Sequence, residues 1–173
     1  MDRREAGIAV VNRPQIRPLF FDVACRSRTD NAIGGILDFE FILIDCPPSL
    51  GLLTINSLAA SSEVIIPMQP HFLALQGVAK LLETVQLVNK RMNPKLRVSG
   101  IVLTMFDAQT RLSTEVVNEL NGFIEGAKGT TMPWSEAVIF QTKIRRNIKL
   151  AESPSFGQHI IKYEPASNGA ADY

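Results

Sequence analysis

Lysine is missing from the first 79 residues of this 173-residue chain, and cysteine occurs only at Cys25 and Cys46. Two distant cysteines with no CxxC or Cys/His spacing exclude a disulfide framework and a thiolate metal site, and they fit a reducing compartment. No apolar run approaches the ~18 residues that a membrane-spanning helix needs. The start, Met1-Asp2-Arg3-Arg4-Glu5, also lacks the apolar stretch of a signal peptide, so a cytoplasmic chain with no membrane partner is expected. Charge of one sign is lacking too: 18 Lys plus Arg against 17 Asp plus Glu leave +1. That excludes a protein held to nucleic acid by its overall charge, so any such contact must come from a local patch. With 46% apolar and 20% charged residues, the chain has too much apolar surface to stay disordered, and its length fits one globular domain.

The basic residues that are present divide the chain. Residues 1–38 carry six Arg, residues 39–79 carry neither Lys nor Arg, and every Lys lies at or beyond Lys80. This middle block without Lys or Arg is the expected core. Phe39-Glu40-Phe41-Ile42-Leu43-Ile44-Asp45 is a short apolar run stopped by Cys46-Pro47-Pro48, the pattern of a parallel strand buried on both faces. A helix is expected over 50–60, a second strand over Glu63–Met68 and a helix over 75–92, where Leu75, Val78, Leu82, Val85 and Val88 recur at spacings of three and four. Asn93-Pro94 ends that helix. A third strand is expected at Val98–Thr104, a helix at 112–124 and a weaker strand at Ala137–Phe140. This rhythm predicts an α/β fold with a doubly wound, mostly parallel sheet and right-handed crossovers. In residues 1–38, Ile8–Val11 and Leu19–Val23 have the composition of short strands, but the intervening Arg and Pro give no period.

Ligands of such sheets bind beyond the carboxyl ends of the strands. Asp45 ends a buried strand there, the usual position of an acid that holds Mg²⁺ through water beside a nucleotide phosphate; capping of the next turn is the competing role for a lone Asp.

Asp45 is not alone. The string Phe39–Asn56, FEFILIDCPPSLGLLTIN, resembles the Walker B and switch II segment of the ParA/Soj chromosome and plasmid partitioning ATPases. Glu63–Gln69, Phe72–Gly77, Gly100–Ala108 and Asn147–Gly157 resemble later blocks of that family in the same order, covering about Asn31 to Tyr173. The resemblance implies a P-loop ATPase of the SIMIBI type, present as its C-terminal portion over 39–173 behind a divergent segment 1–38. It implies ATP and Mg²⁺ as ligands, a nucleotide-sandwich homodimer, non-specific DNA and a ParB-like protein as partners, and a nucleoid-associated location. Carried over by position, Asp45 is the Walker B acid on the Mg²⁺ side, Pro47, Pro48, Ser49 and Gly51 form the γ-phosphate switch, and Thr104, Met105 and Asn147 lie near the base. Basic residues matching the family's DNA-contact region are Arg111, Lys143, Arg145, Arg146 and Lys149, with Gln109 where the family commonly has Arg and Arg145 where it has Pro.

The chain departs from the family where phosphates are held. The family's Gly-rich loop, with its signature Lys and its P-loop Lys, precedes the Walker B strand, yet no Lys precedes Asp45, and Gly34-Gly35 is followed by Ile36-Leu37. The expected sheet therefore lacks the P-loop strand, and the triphosphate loses its main electrostatic clamp. Gly126-Ala127-Lys128-Gly129-Thr130-Thr131 is no substitute, because its order is Lys-Gly and Met132-Pro133 follows. The sequence thus points to a partitioning protein defective in ATP hydrolysis. The alternative is a non-enzymatic module, a remnant of such an ATPase, that binds DNA or a relative. His71, His159 and Trp134 read as structural residues.

Overall fold

The computed structural model describes residues 8–12, 41–46 and 50–173. The strand expected at Leu19–Val23 and the switch residues Pro47, Pro48 and Ser49 lie outside them. Five strands form one sheet: β1 (Ile8–Asn12), β2 (Phe41–Asp45), β3 (Glu63–Met68), β4 (Arg97–Phe106) and β5 (Val138–Arg145), in the order β2-β1-β3-β4-β5. β3, β4 and β5 are mutually parallel, whereas β1 is antiparallel to both its neighbours, so β2 runs parallel to β3 through it.

The sheet is linked by α1 (Leu52–Ala60), α2 (Phe72–Arg91) and α3 (Arg111–Ala127). The crossovers β2→β3, β3→β4 and β4→β5 all step the same way along the sheet, so right-handed connections place these three helices on one face. The core has that composition: Leu58 of α1, Val78, Leu82 and Val85 of α2, and Val116, Leu120 and Ile124 of α3 pack with Val64, Ile66, Val98 and Ile101. Burial alternates strictly along β3, with Val64, Ile66 and Met68 buried and Glu63, Ile65 and Pro67 half-buried.

The apolar stripe of α2 is the expected one, with Val78, Leu82, Val85 and Val88 buried. The helix begins earlier than the stripe, because the His71 side chain accepts a hydrogen bond from the Ala74 N–H at 3.2 Å and caps the first turn. At its far end buried Asn93 donates to the carbonyls of Leu58 and Ser61, fastening α2 to the end of α1. Trp134 is buried with its ring 6.3 Å from that of Phe123, a packing role.

β2, expected to be buried on both faces, is instead an outer strand of the described sheet with Leu43 68% exposed. β5 also differs from expectation. It runs to Arg145 instead of ending at Phe140, because two register shifts let Leu103 face Lys143 and Phe106 face Arg145. Side-chain composition could not show this, since polar Gln141, Thr142 and Lys143 continue an exposed outer strand. After β5 come α4 (Ile148–Glu152), a 3-10 turn (Ser153–Phe156), α5 (Ile160–Tyr163) and α6 (Asn168–Asp172), and α6 packs back on β5.

Candidate functional site

The carboxyl ends of β2, β3, β4 and β5 define one edge of the sheet. Asp45, the last residue of β2, is exposed there. Gly51, beyond the same strand, is the extended residue at which α1 begins. At the end of β4, Thr104 is half-buried and Met105 is 59% exposed with φ 48°, the single non-glycine residue of positive φ among those described. Gln69, just past β3, donates from Nε2 to the Met105 sulfur at 3.1 Å. Strained backbone of this kind is held in place by its surroundings and is common at ligand edges. Asn147 caps α4, its side chain accepting from the Lys149 N–H at 2.8 Å.

β4–β5 pairing brings the residues expected near a base and the basic residues together. Phe106 lies beside Arg145, and the Arg146 N–H donates to the Phe106 carbonyl. Asp45 is separated from β4 by three strand spacings, about 14 Å. Arg111 is the first residue of α3, beyond a turn in which the Asp107 carboxylate accepts from the Gln109 N–H.

The basic residues are not equivalent. Arg145 donates from Nη2 to Asp172 Oδ1 at 2.7 Å, from Nε to both carboxylate oxygens, and from its backbone N–H to Oδ2. The Arg145 fork holds the Asp172 carboxyl below its ordinary pKa, and the same bond raises that of the guanidinium. Lys149 reaches Glu152 at 2.9 Å, and Glu152 also accepts from the Tyr163 hydroxyl. That pairing, led by the hydrogen bond, raises the Lys149 pKa and lowers that of Glu152. The Lys143 ammonium lies 4.4 Å from the centre of the Phe106 ring. Nothing in the linear spacing signals the Arg145–Asp172 pair, whose members are 27 positions apart. Lys128 of the dismissed Gly-rich segment pairs with Glu125 at the end of α3.

The phosphate side is built differently. A phosphate cradle needs a loop that leaves the carboxyl end of a central strand and opens a helix. The central strand beside β2 is β1, and it runs the other way: Ile8, its first residue, faces Asp45, and Asn12, its last, faces Phe41 at the opposite edge. The described residues therefore do not supply a triphosphate cradle next to Asp45. Among them no cluster of three or more metal-ligating side chains occurs either.

Comparisons with known proteins show what the chain is similar to. A family profile described as an AAA domain matches residues 29–98. The chain is 44% identical over 136 residues to the sporulation initiation inhibitor protein Soj of Bacillus subtilis, covering 79% of this chain and 49% of that protein. It is 41% identical over 136 residues to the chromosome partitioning protein ParA of Myxococcus xanthus, covering 79% of this chain and 44% of that protein. It therefore spans about half the length of the curated relatives it matches. Among solved structures it resembles cobyrinic acid a,c-diamide synthase from Mycobacterium smegmatis, with TM-score 0.58 and 26% identity over 93% of this chain and 54% of that one. A second structure of that enzyme, with bound ADP and magnesium, matches with TM-score 0.54 and 29% identity over 74% of this chain and 53% of that one.

Proposed function

The chain belongs to the ParA/Soj family of partitioning ATPases, and from that premise we propose that it serves DNA partitioning through its β4–β5 edge while failing to hydrolyse ATP alone. Residues 39–173 correspond in this reading to the C-terminal portion of the family's ATPase domain, and residues 1–38 to a divergent segment. The observation that carries the hydrolysis part is the direction of β1. In the family the P-loop strand lies beside the Walker B strand; here that position holds a strand whose carboxyl end points away from Asp45. The first 79 residues also hold no Lys, the residue type with which the family's Gly-rich loop neutralises a transferring phosphoryl group.

The proposed base side is supported by the position of Thr104, Met105 and Asn147 close to the β4–β5 edge. Asp45 is exposed as a Walker B acid would be, and Gly51 begins α1 as the switch would. Arg111, Lys143, Arg145, Arg146 and Lys149 are the proposed contacts to non-specific DNA, chromosomal or plasmid. Exposed Leu52, Leu53, Phe72 and Leu73, at the ends of α1 and α2 nearest the ligand edge, support association with a second copy or a ParB-like partner.

Retention of the purified chain on duplex DNA of unrelated sequence, with and without ATP and Mg²⁺, tests the reading. Salt-sensitive retention that ATP does not change, weakened by Arg146→Ala with Arg111→Ala, is expected. Retention that appears only with ATP overturns the claim that the phosphate side is non-functional.

A further inference from the structure

The five basic residues of the β4–β5 edge fall into two classes. Arg145 and Lys149 are each bound by a carboxylate from the segment that follows them, whereas among the described residues no ion pair engages Arg111, Lys143 or Arg146. We propose that Asp172 and Glu152 act as built-in competitors of a polyanion, masking Arg145 and Lys149 so that DNA engages this edge fully only when the two carboxylates let go. The inference rests on the DNA-contact reading above.

The geometry carries it. Asp172 takes the Nε and Nη2 donors of Arg145 with both its oxygens, the fork arrangement in which a guanidinium also binds a phosphate. The Asp172 side chain is only 10% exposed while that of Arg145 is 48% exposed, so the carboxylate sits inside the pair and the cation faces out. Its position depends on a close approach: a Cβ on Gly169 would stand 2.9 Å from Leu150 Cγ, so this glycine lets α6 lie against α4 and bring Asp172 to Arg145. Glu152 binds Lys149 within α4 and is steadied by the Tyr163 hydroxyl. Both carboxylates are drawn to their cations strongly enough to titrate below their ordinary values, so they are charged at neutral pH. Exposed ion pairs nevertheless add little to stability, and a duplex presenting several phosphates can displace them.

The test measures binding of the full chain to a short duplex of unrelated sequence as a function of salt. Asp172→Asn with Glu152→Gln is expected to bind about tenfold more tightly at low salt, and to steepen the dependence of log K on log salt by about two, one for each phosphate newly engaged. Adding Arg145→Ala and Lys149→Ala is expected to remove the gain. Glu83→Gln with Glu119→Gln, which neutralises two exposed acids in the middle of α2 and α3, is expected to leave the slope unchanged. An unchanged slope in the first double variant, or a gain that survives loss of Arg145 and Lys149, overturns the masking while leaving the DNA reading in place. Absence of binding by both the unmodified chain and the variant overturns the two together. If the double variant does not fold, Asp172→Asn alone is read the same way, with an expected slope change of about one.

Discussion

Ile8 faces Asp45 across an antiparallel pair, and the same Ile8 faces Ile65 on its other side. One strand from the divergent first segment thus closes the gap between β2 and β3, yet it presents its beginning, not its end, to the edge where a phosphate would be held.

The direction of β1 can be tested chemically. With Cys25→Ser and Cys46→Ala removing the native thiols, Ile8→Cys with Asp45→Cys is expected to cross-link on mild oxidation. Ile8→Cys with Phe41→Cys, the pair that a parallel β1 would juxtapose, is expected to stay reduced. Directly opposed residues lie about 4.5–5.5 Å apart between Cα atoms, inside disulfide reach, whereas the far end of a five-residue strand does not. The opposite pattern of cross-linking shows a parallel β1.

Glycines separate packing from propensity. A Cβ on Gly100 would stand 2.5 Å from the Val138 carbonyl oxygen and 2.9 Å from the Phe140 ring, so Gly100→Ala is expected to push β5 from β4 and cost about 1–3 kcal/mol in urea unfolding. Gly122 lies inside α3 with nothing near its missing Cβ, and Gly122→Ala is expected to stabilise by about 0.4–1 kcal/mol. Equal effects at the two positions contradict the β4–β5 packing described.

Acid should release α6. The folded-state pKa of Asp172 is lowered by Arg145, and that of Glu152 by Lys149. Their stabilising contribution is therefore fully present above the unfolded values, about 3.9 for Asp and 4.3 for Glu, and is lost as pH falls through the lower folded values. Unfolding temperature is expected to decline below about pH 4 less steeply in Asp172→Asn than in the unmodified chain. Lys149 has the opposite sign: its pKa is raised, so its share persists below about 10.4 and is lost only as pH rises beyond that. Parallel acid limbs in the two proteins show that the Arg145–Asp172 pair does not contribute in solution.

Gly169→Ala offers an independent check on how Asp172 is placed. The added methyl meets Leu150 and displaces α6 from α4, so the Asp172 carboxyl, followed by NMR, is expected to titrate nearer the ordinary aspartate value, about 3.9. A titration as low as in the unmodified chain contradicts this placement.

Much of the fold was legible because its periodicities are strong. β3 matches the expected strand at Glu63–Met68, and the α2 stripe is buried as its spacing implies. The start of α2 was missed because it depends on the His71 cap, which carries no apolar signal. β5 was shortened because Gln141–Arg145 is polar, and only pairing with β4 makes it a strand. The composition of Ile8–Val11 allowed a strand, but its place and direction depend on non-local pairing that no local pattern encodes. At the candidate site, Thr104, Met105, Asn147 and the cations of β5 come from the resemblance alone, and their roles are proposals. Asp172, Glu152 and the Gln69–Met105 contact could not, because each depends on tertiary approach.

The central claim is that a member of this family with a reversed strand at the phosphate edge does not hydrolyse ATP by itself. Steady-state phosphate release from the purified chain with ATP and Mg²⁺, measured beside Asp45→Ala, tests it most directly. Release at the same background level in both proteins is the predicted result; steady turnover that Asp45→Ala abolishes would contradict the account.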